Sequence, residues 1–324
     1  MTLRVQASDS PRAQAAIGGM VSMGVWMYAV AEMEEAVASC GDGTTTAAMA
    51  WDRSVALYAG SLEGASGDAA AGNMLYRLAE DMCAAFGTCT EETTYSTTAS
   101  SAVNQNIFSH FWVGASQISA WTSPNSCSEL EATKESIVAQ MKVPLLQGMN
   151  RYAHAVSVGR ATASEDDMAR AHTFAAALLP LLETCDTHTA AAVASSLALF
   201  NATEIKEGKS LPRGFGHHLK AVERTYACLG VSCADVGCLV EDLATGECFA
   251  SYPSCVRVTE VASNDYVDCA GVVGNTTYGA CLDRNLESMT STLEAKTLAV
   301  YDMLEGLGKR CGELGDLFEK RIPK

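Results

Sequence analysis

Thirteen cysteines in a chain of 324 residues constrain this fold more than any other feature. A reduced cytosolic protein rarely carries so many. No two are spaced as CxxC, which argues against zinc ribbons and thioredoxin-like motifs. The spacings read as local staples: Cys83 with Cys89, then Cys228, Cys233, Cys238, Cys248 and Cys255, then Cys269 and Cys281. The shortest closures predict disulfides Cys83–Cys89 and Cys228–Cys233, with Cys238, Cys248, Cys269 and Cys281 as further candidates. An odd total leaves at least one thiol free or paired outside the chain. An oxidising compartment follows: extracellular, periplasmic or at the cell surface. Two N-x-[ST] sequons, at Asn201 and Asn275, agree with that and are the candidate glycosylation sites.

Staples need a scaffold, and the scaffold reads as helical. Alanine is abundant and only 7 residues are proline, which favours helices. Apolar residues recur at helical spacing in Val55, Tyr58 and Leu62, in Leu75, Leu78, Met82 and Phe86, in Leu145, Met149, Tyr152 and Val156, and in Phe174, Leu178 and Leu182. Residues 13–31 carry no charge, but adjacent glycines interrupt them and Glu32, Glu34 and Glu35 follow. This stretch is read as an amphipathic helix ending near Cys40, with any secretory signal lying upstream. Ser164-x-x-Asp167 predicts a helix N-cap after a polar connection. His217 and His218 are read as a solvated helix start.

The expected fold class is therefore mainly α: a helical bundle with a disulfide-rich irregular subregion and a long C-terminal amphipathic helix. Residues 1–227 form the bundle in this reading. Residues 228–283, with seven cysteines and short β-branched runs such as Val256 to Val261, form the irregular subregion, with a short hairpin. Residues 284–324 repeat apolar residues at spacings of three and four, which suits packing on the bundle or helix-mediated self-association.

Catalytic signatures are missing. There is no H-E-x-x-H, no G-x-S-x-G, no Walker loop and no G-x-G-x-x-G, so the chain is expected not to be an enzyme. A net charge of −16 argues against nucleic-acid binding.

Residues 51–64 read W-D-R-S-V-A-L-Y-A-G-S-L-E-G. This resembles a signature of the low-iron-inducible periplasmic proteins of algae, the Fea-type iron-assimilation proteins related to the phytotransferrins. Further blocks follow in the same order: Met74 to Ala79 leading to Cys83, then Phe86 to Cys89; Val143 to Gly148 with Arg151, Tyr152 and Ala153; Ala177 to Leu181 before Cys185; and Tyr226 to Gly237. The similarity spans residues 51–255. Cys238 and Cys248 have no counterpart in the family pattern. The resemblance implies a secreted or surface-held helical protein that assists ferric iron uptake. It also implies carbonate as a synergistic anion, and a membrane-associated ferric reductase or uptake machinery as partner.

The ligands themselves must be argued from residues. Ferric iron is hard and takes oxygen donors. Tyr58 and Tyr152 lie on apolar stripes, where a hydroxyl needs a partner; a metal or a carboxylate would serve. Glu63 is favoured beside Tyr58 if the helix breaks at Gly60. Asp52 is either a further ligand or a helix-capping acid. Tyr76 pairs with Glu80 at i, i+4. Arg151, next to Tyr152, is the candidate anion-binding residue because a guanidinium grips planar oxyanions. The competing reading is a non-catalytic coat or adhesion protein built on the same stapled helices.

Overall fold

The stripes at helical spacing become helices, and the polar breaks become their ends. The computed structural model describes residues 9–41, 44–60, 74–90, 100–119, 125–159, 162–242 and 246–249. Within them run α1 (Asp9–Gly19), a π-helical turn (Met20–Val25), α2 (Trp26–Ala38), α3 (Thr44–Ala59), α4 (Leu75–Phe86), α5 (Ala102–Ser119), α6 (Asn125–Val158), α7 (Glu165–Cys185) and α8 (Thr187–Ser196). Short helices α9 (Ala202–Lys206), α10 (Phe215–Glu223), α11 (Tyr226–Leu229) and α12 (Cys233–Val236) follow, then an antiparallel pair, β1 (Val240–Asp242) and β2 (Glu247–Cys248). The fold is mainly α.

The 34-residue α6 is the axis. It packs against α2, α4, α5, α7, α10 and α12, and Leu130, Ile137, Met141, Leu145, Leu146, Met149, Ala153 and Val156 along it are buried. The helix continues through Pro144, at the cost of one backbone hydrogen bond to the Gln140 carbonyl. α2 and α3 pair on one side, α1 lies on α7, and α8 lies on α7. Ser164 and Asp167 form the N-terminal cap of α7, each side chain bonding the other's backbone N–H. α3 ends where Gly60 turns to φ 79, a left-handed backbone that suits glycine.

Two close approaches fix the packing. A side-chain carbon on Gly114 of α5 would lie 2.0 Å from the Trp51 ring, whose indole N–H donates to the Phe111 carbonyl at 3.0 Å. One on Gly148 of α6 would lie 2.7 Å from Phe174.

Four disulfides are present among the described residues. Cys40–Cys127 joins the end of α2 to the start of α6, and Cys185–Cys228 joins the end of α7 to α11. Cys83–Cys89 closes the local loop that the spacing predicts, and Cys238–Cys248 clamps the β-hairpin. The expected Cys228–Cys233 bond does not form: Cys228 is bonded to Cys185 at the end of α7, and Cys233 is bonded elsewhere. The hairpin is set at 240–248, while Val256 to Val261 lie outside the described residues. So do Glu63, Cys269, Cys281, Asn275 and the C-terminal helix expected over 284–324. The described residues all belong to one compact unit.

The helical run Ser10–Ala38 is long and apolar enough, by length and composition alone, to cross a membrane. It nevertheless packs on α7 and α3.

Candidate functional site

Tyr58 sits on the inner face of α3 and is fully buried. Its ring meets Phe108 and Phe111 of α5 at 6.2 and 6.0 Å, and Tyr76 of α4 meets Phe108 at 5.8 Å. The Tyr58 hydroxyl donates to Oδ1 of Asn104 on α5. The amide nitrogen of Asn104 donates to the Tyr76 carbonyl at 3.0 Å and to Oε1 of Glu80 at 2.6 Å. Glu80 also accepts from the Ser100 hydroxyl at 2.9 Å and from the Ser101 backbone N–H. Its negative charge therefore lies at the N-terminus of α5, where the helix dipole and free N–H groups favour it. The Ser101 hydroxyl is buried and has no hydrogen-bond partner among the described residues. A phenol, a carboxylate, an amide oxygen and two hydroxyls thus gather where α3, α4 and α5 meet. All are hard oxygen donors of the kind ferric iron takes.

The other sequence candidates fall in different places. Asp52 is exposed in the middle of α3. The capping role considered for it is excluded, because α3 begins at Thr44. Tyr76 is buried and contributes its main-chain carbonyl to the cluster. Tyr152 faces α7 and not α3: its ring stacks on Phe174 at 6.0 Å, and its hydroxyl accepts from Nη1 of Arg170 at 2.9 Å. The guanidinium carbons of Arg151 and Arg170 lie 5.8 and 5.3 Å from the Tyr152 ring centroid. Two cations beside one ring suit an anion better than a metal ion. Among the described residues there is no group of three or more His, Cys, Asp or Glu placed to hold one metal.

Asn104 and Arg170 escaped the sequence reading. Asn104 left a trace, as a polar residue in register with the apolar Ile107 and Phe111 of its helix. Arg170 left none.

A second buried polar region faces the C-terminal short helices. Gln147 of α6 donates to Thr88 at 3.1 Å and to the Val236 carbonyl at 2.9 Å. Asn150 donates to the Tyr226 hydroxyl at 3.4 Å, and burial pushes that phenol's pKa up. The solvated reading of the histidine pair is half right. His217 is exposed, while His218 is buried, and burial pushes its imidazole down to about 4. His154 packs against Phe215 and Phe249 and is also lowered by burial. Asn201 is exposed and caps α9 through Oδ1, which leaves its amide nitrogen, the atom a glycan would use, out of that bond.

No protein-family model, curated protein or solved structure matches the chain.

Proposed function

We propose that this chain is an extracytoplasmic ferric-iron-binding protein that assists high-affinity iron uptake, handing its cargo to a membrane-associated reductase or uptake system. The observation that carries the reading is the oxygen-donor cluster of Tyr58, Glu80, Asn104 and Ser100. It falls within and beside the residue blocks that resemble the algal iron-assimilation family. A ferric ion there would be held by Tyr58 as phenolate, Glu80 as carboxylate and the Asn104 amide through Oδ1, the atom that faces the Tyr58 hydroxyl. The metal's charge lowers the phenol's pKa enough to ionise it near neutral pH. Acid then reverses binding by reprotonating the ligands. The four disulfides support an oxidising compartment.

Equilibrium dialysis against ferric citrate, with and without bicarbonate, tests the reading. Retained iron should colour the protein through a phenolate-to-iron charge-transfer band, and Tyr58→Phe should lose both band and affinity with unchanged circular dichroism. No iron retained beyond the citrate control would overturn it.

One observation favours the coat or adhesion reading. Ile17, Met20, Met27, Tyr28 and Met49, carried by α1, the π-helical turn, α2 and α3, are large, apolar and exposed, as side chains that meet an apolar partner are. A chain that takes no iron but self-associates, and is made monomeric by Met27→Glu with Tyr28→Glu, belongs to that class.

A further inference from the structure

We propose that the outer face of the Ser10–Ala38 helical run pairs two copies of this chain, antiparallel, about a two-fold axis at Gly24. Ala13, Ile17, Met20, Gly24, Met27 and Ala31 follow one another at alternating spacings of four and three, and all six are exposed. That is the repeat with which one helix packs along another. The run already has an inner face, where Ser22, Ala29, Met33 and Ala36 are buried. The outer ridge is therefore a second packing face, with Ile17, Met20, Met27 and Tyr28 between 52% and 67% exposed.

Gly24 marks the middle of the ridge. Gly114 and Gly148 make room for Trp51 and Phe174, but a side-chain carbon on Gly24 would meet nothing within 4 Å. Its φ also lies outside the left-handed region, so neither packing nor backbone calls for a glycine there. A bare backbone between Met20 and Met27 suits the crossing point of a second helix. What lies on either side names that helix. With the axis at Gly24, Ile17 of each copy comes opposite Ala31 of the other, large against small, and Met20 opposite Tyr28. Residues 13–31 carry no charge, and charge returns at the two ends with opposite sign. Arg12 lies twelve residues before Gly24, Glu34 and Glu35 lie ten and eleven after it, and all three are exposed. An antiparallel pair sets each Arg12 beside the other copy's Glu34 and Glu35, whereas a parallel pair sets like beside like. Glu32 is already held by Arg53, and Glu35 accepts from Ser39 at 3.1 Å. A lipid surface is the competing occupant, since the run is long and apolar enough to meet one; it makes no use of the bare glycine or of the opposed charges. The same exposed residues favour the coat or adhesion reading, but a two-fold pair closes on itself and holds equally for an iron carrier.

Sedimentation velocity of the full chain without iron tests this between about 1 and 100 µM, the range in which a small interface associates. A monomer–dimer equilibrium is expected. Gly24→Glu has room for its side chain within the fold, puts two carboxylates on the axis, and should weaken pairing about tenfold or more. Arg12→Glu should weaken it several-fold, and so should Glu34→Arg with Glu35→Arg. Mixing those two variants should restore a dimer containing one of each, because both ends then match again. Should a charge variant fail to fold, judged by circular dichroism, Gly24→Glu decides alone. A monomer at every concentration, a dimer that the folded variants leave unchanged, or growth past the dimer overturns the proposal. So does a monomer that floats with phosphatidylcholine vesicles, which gives the ridge to lipid. Since iron takes no part, failure here leaves the ferric reading to its own test.

Discussion

Asn104 is the residue on which three helices agree. Its amide accepts from Tyr58 of α3 and donates to both the Tyr76 carbonyl and Glu80 of α4. Asn104→Leu fills the same space but takes away the Tyr58 acceptor and one donor from each of the other two groups. Buried polar groups that lose partners cost about 1–3 kcal/mol each, so a loss of about 3 kcal/mol is expected in urea unfolding. A loss under about 1 kcal/mol would mean that the network relaxes or takes up water. Gly114 poses the opposite problem, too little space. Its neighbour is the Trp51 ring, which is itself fixed by the bond to the Phe111 carbonyl. Gly114→Ala gains a little helix propensity, about 1 kcal/mol. It should nonetheless lower stability by about 1–3 kcal/mol net, through overpacking against a ring that has nowhere to go. A midpoint shift to lower urea with an unchanged slope would confirm this.

At the scale of elements, the disulfides divide by what they span. Cys40–Cys127 has a sequence separation of 87 and ties α2 to α6, while Cys83–Cys89 spans 6. On the chain-entropy account the first contributes about 4.5 kcal/mol and the second about 2. Replacing both cysteines of a pair with serine should therefore destabilise far more at Cys40 and Cys127, and equal midpoint losses for the two pairs would contradict that account. The same contrast explains what the sequence could reveal. Local signals were legible: the stripes on α4, α6 and α7, the Ser164–Asp167 cap and the short Cys83–Cys89 loop are all set by residues near one another in the chain. Cys185–Cys228, the reach of Asn104 to two other helices and the turn of Arg170 towards Tyr152 depend on which elements become neighbours. No spacing encodes that. Tyr58 shows the boundary well. Periodicity placed its ring inward, but its polar partners come from α5 and, through Asn104, from α4.

For the molecule as a whole, acid is the informative perturbation. His218 is buried and lies near 4 in the fold, against an ordinary 6.5, chiefly because burial penalises its charged form and secondarily because His217 adjoins it. His154 is shifted in the same direction by burial, and its ring touches Phe215 on the helix that carries His218. The sign follows from proton counting. Between pH 6.5 and 4 the unfolded chain holds the His218 proton and the folded chain does not, so unfolding takes up protons and stability falls as pH falls. Above 6.5 the imidazole is neutral in both states and its contribution is level. The full loss from His218 is roughly 3 kcal/mol, and His154 adds to it in the same window. Carboxylates contribute an acid limb of their own, as Asp186 does through its bonds to Thr189 and His188, which hold its pKa down. That limb belongs mostly below the histidine window. The comparison that isolates the histidine is thus wild type against His218→Leu, by urea unfolding at steps from pH 7 to 4.5. Wild type should lose stability steadily as pH falls below 6.5, and the variant should run visibly flatter over the same range, with the gap between the curves changing by about 2 kcal/mol. The stability of α10 against α6 would then be set by whether one imidazole stays neutral. Parallel curves would mean that His218 reaches solvent readily enough to charge within the fold.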